Sequence, residues 1–271
     1  MTKMKWELLI KRSAIVILCF LLYKYSMYLF ENILCGKENW DSISIEGRLT
    51  IMLISAIVFA CLAKYLIIKE IKLKDFGLDI SDLPNGLFIA TLCVIPQLIG
   101  LGFYCNWDFE FSGRIIYRDL ILAGFGEEFI FRAFLFGLLF YYAGWGFFSA
   151  GIFAGLFFGW GHLYQAIDFT SAVSVFLFTV GASLGFSWFY YAWKSLWMVL
   201  FLHAFMDITW DGFNLQTNVT GNLWINLARF TTLFLTVLFS IRKAKSNDRY
   251  DLKRNGKLWI NKNALLLKNT L

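Results

Sequence analysis

Apolar residues run along this chain in blocks of roughly 20, the length that crosses the hydrocarbon core of a bilayer. The blocks predict helical spans near residues 13–34, 49–68, 86–105, 115–140, 146–164, 171–192, 195–210 and 223–241. The polar stretches between them are short, and no linker or soluble unit interrupts the series. The expected architecture is all-α: a polytopic membrane helix bundle of about eight transmembrane helices, forming a single transmembrane domain over 1–271.

Composition supports that class. Of the 271 residues, 59% are hydrophobic and 20% aromatic, more apolar surface than a soluble domain of this length could hide. The N-terminal run after Lys3, Lys5, Lys11 and Arg12 is longer than a signal-peptide core and lacks a small-x-small cleavage pattern, so it reads as a retained first span. Cys19, Cys35, Cys61, Cys93 and Cys105 show no close-spaced pair and read as reduced packing residues.

The placement of the basic residues sets an orientation. Lys69, Lys72 and Lys74 mark one basic loop, and the tail from about 242 to 271 carries Arg242, Lys243, Lys245, Arg249, Lys253, Arg254, Lys257, Lys262 and Lys268 against only Asp248 and Asp251. The loops near 36–48, 106–113 and 211–222 are poor in lysine and arginine. With an even number of spans, the positive-inside rule puts both termini in the cytoplasm of a multi-pass cell-membrane protein. The basic tail is read as a solvated topology determinant, with a tail lying along anionic lipid headgroups as the alternative; the partner is the lipid bilayer, with no nucleic acid.

Small residues mark helix contacts. Gly151, Gly155 and Gly159 repeat every four residues in the fifth span, and Gly181 and Gly185 do so in the sixth, spacing that allows close backbone approach. Lys24 and Lys64 interrupt the first two spans without an evident partner. Asp168, Asp211, Asn214 and Asn218 fall at span ends and read as loop polarity.

The chemistry concentrates at Gly124-Phe125-Gly126-Glu127-Glu128-Phe129-Ile130-Phe131-Arg132. Charge inside a spanning helix is costly and marks function. On a helix Glu128 and Arg132 lie four residues apart and pair on one face. Glu127 is turned about 100° from Glu128 and stays free to act as a base. The two histidines of the chain follow downstream: His162, four residues after Phe158, and His203, four residues before Asp207. Each spacing puts both side chains on one helical face.

Glu-Glu-x-x-x-Arg at 127–132, Phe-x-x-x-His at 158–162 and His-x-x-x-Asp at 203–207 stand in order on three spans. In this the chain resembles the CAAX proteases and bacteriocin-processing enzymes (the CPBP, or ABI, intramembrane glutamic endopeptidases), over a core of about 115–210. The resemblance implies a CAAX-protease-like bundle with a water-filled cavity, and peptide-bond hydrolysis without a covalent intermediate. It makes Glu127 the general base on water, Glu128 with Arg132 the brace, and His162 the group that shares the water's proton or fixes its position. His203 with Asp207 would then stabilise the oxyanion. Phe158 and Trp160, beside His162, are the substrate-binding candidates. Asp207 departs from the asparagine form of the third motif: an ionised aspartate cannot donate to an oxyanion, so either Asp207 is protonated in its low-dielectric site or, the favoured reading, it accepts from His203 and favours a donating imidazolium.

Two glutamates, two histidines and an aspartate also make a ligand set for zinc, but the resemblance implies a metal-independent mechanism with no cofactor. The leading expectation is an endopeptidase acting on a peptide or protein precursor within or at the membrane: a bacteriocin, a signalling peptide or a CAAX-type substrate. The alternative is a non-catalytic bacteriocin self-immunity protein or membrane scaffold. A small-solute transporter ranks last, because no inverted repeat is visible.

Overall fold

The computed structural model describes residues 3–215, 217–246, 252 and 257–266. The described chain is helical throughout, apart from turns and one isolated antiparallel bridge between Trp145 and Ile260. The elements are α1 (Lys3–Leu29), α2 (Lys37–Ser42), α3 (Ile45–Ile68), α4 (Leu83–Tyr104), α5 (113–143), α6 (Phe147–Gly161), α7 (Phe169–Trp193), α8 (Leu196–Gly212) and α9 (Leu223–Ser246). Local chemistry sets the ends. The Ser44 hydroxyl accepts from Gly47 N at 3.1 Å to start α3. Asp168 is the cap of α7, accepting from Ser171 N at 2.7 Å, and is therefore more than loop polarity. Gly144, at φ +92°, ends α5 in the left-handed region that glycine enters freely.

Six helical stretches are long and apolar enough to cross a membrane: Lys3–Ile33, Ile45–Ile68, Ile80–Tyr104, Phe147–Gln165, Phe169–Trp193 and Leu223–Ser246. They match six of the eight expected spans, and the protein is an all-α, multi-pass membrane bundle. The other two, α5 and α8, form its interior. At 1.5 Å per residue the 17 residues of α8 extend only about 25 Å, short of the roughly 30 Å hydrocarbon core. Every residue from Phe129 to Phe140 is buried, the signature of a helix apolar on all sides and enclosed by its neighbours.

After Gly113–Ile116, α5 winds wide, with i→i+5 bonding over Tyr117–Glu127, Phe129–Gly137 and Leu139–Ala143. The turn from Glu127 to Glu128 is accordingly narrower than the α-helical 100° expected from the sequence. Gly124 lets α5 approach α8, since a Cβ there would sit 2.7 Å from Cβ of Ala204. The small-residue reading holds for α6: a Cβ at Gly151 or Gly159 would come within 3 Å of Leu184 or Val180 of α7. It does not hold for Gly181 and Gly185, which face open space, because α7 meets α6 through its larger side chains instead.

Two further readings change. Lys64 has a partner: its Nζ lies 2.8 Å from Asp75 Oδ2, 3.0 Å from the Glu70 carbonyl and 4.6 Å from the centroid of Tyr142. The partner comes from the short 3₁₀ segment Leu73–Phe76 after α3, beyond the reach of helical spacing rules. The tail is not solvated throughout. Its carbonyls at Lys257, Leu258 and Trp259 accept from the N–H groups of Phe147, Phe148 and Gly146 at 2.7–2.9 Å, which satisfies donors that α6 leaves unpaired at its start. Asn261 donates to the buried carbonyl of Phe140 at 2.8 Å, and Arg12 donates to the carbonyls of Ala264 and Tyr142. Arg249, Lys253, Arg254 and Lys268 of the basic tail, with Asp248 and Asp251, lie outside the described residues. All five cysteines are free thiols.

Candidate active site

The first and third motifs meet at Glu128. This fully buried carboxylate accepts from His203 Nδ1 through Oε1 at 2.7 Å, and its Oε2 lies 3.1 Å from Arg132 Nε. The second contact brings the charges together without an aligned hydrogen bond, so Glu128 Oε2 and Arg132 Nε have no hydrogen-bond partner among the described residues. Glu128 is therefore more than the brace of Arg132: it also fixes the orientation of His203. The close approach of α5 and α8 at Gly124 and Ala204 makes that reach short.

On its other edge His203 faces two carboxylates. Nε2 lies 3.4 Å from Asp207 Oδ2, one helical turn along α8, and 4.0 Å from Glu127 Oε2. Glu127 is 31% exposed and, among the described residues, accepts no hydrogen bond. The two adjacent glutamates thus have opposite environments, one pinned in the interior and one open.

His162 joins the centre indirectly. Its Nδ1 is 2.8 Å from the Phe158 carbonyl, and its ring lies 4.3 Å from that of Phe158. Phe158 in turn faces the guanidinium of Arg132 at 4.6 Å. The other side of Arg132 is covered by Phe186 of α7 at 5.3 Å, and Phe186 contacts the His203 ring at 5.5 Å. Arg132 is therefore held between two rings, each against one histidine. Trp160 is 73% exposed, with no ring contact to a motif residue among the described residues.

Several polar partners were invisible to spacing arguments. Gln97 of α4, buried in mid-span, donates to the Met206 carbonyl at 2.8 Å and to Thr209 Oγ1 at 2.7 Å, anchoring α8 beside Asp207. Arg118 pairs with Asp119 at 2.9 Å and with Asp211, so Asp211 is not simple loop polarity. Arg229 of α9 lies over Trp210 at 4.5 Å and Phe178 at 5.1 Å, and donates to the Val219 carbonyl. The signal available in the sequence was the polarity of Gln97 and Arg229 inside apolar runs; their partners were not available. A pocket lined by Cys105, Asp108, Glu110, Gly212, Phe213 and Asn214 opens at the C-terminal end of α8, beyond Asp211.

Among the described residues, no three His, Cys, Asp or Glu side chains are disposed to hold a metal ion. His203 faces carboxylates through both nitrogens, and Glu128 also lies against Arg132.

Fold and centre together define a class: a helical membrane protein whose buried interior helix presents one pinned and one open glutamate to a histidine from a second helix. Residues 112–209 match the family model described as Rce1-like, type II CAAX prenyl endopeptidase Rce1-like. The match runs from the residue that caps α5 into α8, contains all three motifs, and agrees with the CPBP resemblance. It covers about a third of the chain and leaves α1–α4 and α9 outside. The family is one of membrane proteases. No curated protein and no solved structure matches the chain.

Proposed function

We propose that this protein is an intramembrane endopeptidase that hydrolyses a peptide bond in a membrane-associated precursor, with Glu127 as general base. The observation that carries the reading is the contrast between the glutamates: Glu128 is spent on His203 and Arg132, while Glu127 is open and unbonded. A carboxylate in that state can take a proton from water as the water oxygen bonds to the carbonyl carbon. The carbonyl π electrons move to oxygen, the tetrahedral intermediate collapses with cleavage of the C–N bond, and protonated Glu127 returns its proton to the leaving amine. His203, oriented by Glu128, faces Glu127 across 4.0 Å and helps hold the water. The family match supports a CAAX-type substrate; a bacteriocin or signalling-peptide precursor is the other substrate of this reading. The basic N-terminal segment and tail support cytoplasmic termini.

One observation favours a non-catalytic reading, as an immunity factor or scaffold. Both nitrogens of His203 are committed to carboxylates, as in a polar cluster that only holds the fold. The two readings separate in the native host. With Glu127→Gln, Glu127→Ala or His203→Ala in place of the wild type, an endopeptidase leaves its precursor uncut by mass spectrometry. Unchanged processing in all three variants would refute it.

A further inference from the structure

Hydrolysis by a glutamate-activated water leaves negative charge on the former carbonyl oxygen, and that charge needs donors. The motif residues turn few toward the site. His203 Nδ1 serves Glu128, and its Nε2 faces Asp207 and Glu127. Arg132 keeps two N–H groups without an acceptor among the described residues, but its charge is balanced by Glu128 and its faces are covered by Phe158 and Phe186. The hydrogen bond from His162 Nδ1 to the Phe158 carbonyl requires that nitrogen to carry the proton, so Nε2 of the neutral ring is an acceptor. Asp207 offers a carboxylate where an asparagine would offer N–H groups.

Unspent donors stand on α1, outside the family-matched segment. Phe20 docks α1 against Phe134 of α5 at 5.8 Å and Phe157 of α6 at 5.1 Å. One turn further along lie Tyr23 and Lys24. Since α5 runs from Glu127 to Phe134 and α6 from Phe157 to His162, these two residues come level with the site. Tyr23 is fully buried, and its hydroxyl has no hydrogen-bond partner among the described residues. Lys24 has no ion pair or hydrogen bond among the described residues; its ammonium rests over the rings of Tyr23 at 5.1 Å and Phe20 at 5.9 Å. Arg12 donates to the Tyr142 carbonyl and Phe20 meets Phe134, so α1 runs antiparallel to α5 and its next turn approaches the level of Glu127. An orphaned buried hydroxyl and an unpaired cation in mid-span are each unfavourable in an apolar medium. Together beside an open carboxylate they make the electropositive side of a site whose other side is acidic.

We propose that Tyr23 and Lys24 are catalytic residues of the endopeptidase proposed above, the hydroxyl donating a hydrogen bond to the oxyanion and the ammonium neutralising its charge. Tyr23 keeps its proton throughout; Glu127 alone takes and returns one. The inference rests on the endopeptidase reading, and the same assay tells the two apart. Peptides of the native host are compared by mass spectrometry between wild type and Glu127→Gln, the peptide whose cleavage is lost is identified, and its cleavage by the purified full-length protein in liposomes is then timed. Tyr23→Phe is expected to lower kcat by about 10²-fold with KM little changed, as for loss of one oxyanion donor. Its melting temperature should not fall, because the hydroxyl it loses has no hydrogen-bond partner among the described residues. Lys24→Met should also lower kcat, and Lys24→Arg should restore most of it. Wild-type turnover in Tyr23→Phe and Lys24→Met, with Glu127→Gln inactive, would overturn this assignment alone. Loss of no cleavage in Glu127→Gln would overturn the endopeptidase reading and this one with it.

Discussion

Glu128 and His203 stand 75 residues apart in the chain and 2.7 Å apart in space. Because Glu128 also neutralises Arg132, removing its charge leaves a buried guanidinium without a counter-ion. Glu128→Gln should therefore cost about 3 kcal/mol or more of stability. Asp207 meets the same histidine at 3.4 Å but is 37% exposed, so Asp207→Asn should cost no more than about 1 kcal/mol. Thermal unfolding of both variants in the same detergent checks the ranking. Equal melting temperatures would show that Glu128 is not the organising carboxylate.

Phe186 joins Arg132 to His203 without belonging to any motif. Phe186→Ala should destabilise by about 3–5 kcal/mol through the cavity it leaves. Phe186→Tyr keeps a π face toward the guanidinium and should retain most of the activity, whereas Phe186→Leu keeps much of the bulk and should lose more. Turnover per folded molecule separates the pair, and equal rates would mean that the ring only fills space.

The segment 257–266 closes the ends of α5 and α6. Asn261→Ala leaves the buried Phe140 carbonyl without its donor and should cost about 1–3 kcal/mol. Truncation before 257 should lower the melting temperature further while leaving the rate per folded molecule unchanged. A truncated protein that melts with the wild type would contradict the packing role.

Lys64 and Asp75 form an ion pair on a side chain that is 2% exposed. Lys64→Met alone strands the Asp75 carboxylate and should cost about 3–5 kcal/mol; with Asp75→Leu added, much of the loss should be recovered. A double-mutant cycle with no coupling would sink this account.

Cleavage is expected to survive exhaustive chelation and dialysis, because the proposed mechanism activates water through Glu127 alone. Activity lost to a chelator and recovered with zinc would reverse that reading.

The class of protein was legible in the sequence because apolar length responds to the bilayer alone. Twenty consecutive apolar residues state their own environment, whatever they later touch. The internal contact of the first motif was legible for a similar reason: Glu128 and Arg132 share a face at a spacing set within one helix. What Glu128 does beyond that was not legible, since its strongest partner comes from α8.

Lys24 and Lys64 make the limit plain. Both are lysines inside predicted spans, and nothing in their neighbourhoods separates them. The fold gives Lys64 a carboxylate from the turn after α3, and leaves Lys24 over the rings of Tyr23 and Phe20 with no ion pair among the described residues. Asp211 and Asp168, alike as polar residues at span ends, became a partner of Arg118 and a helix cap.

The sequence by itself determined a helical membrane protein, the helices that carry its charges, and the residues of the three motifs, because hydrophobic length and helical periodicity are properties of short stretches. Only the tertiary structure decided which glutamate is spent, which lysine is unpaired, and that α1 and the tail complete the bundle. Those outcomes depend on distances between helices far apart in the chain, which packing sets and local spacing does not encode.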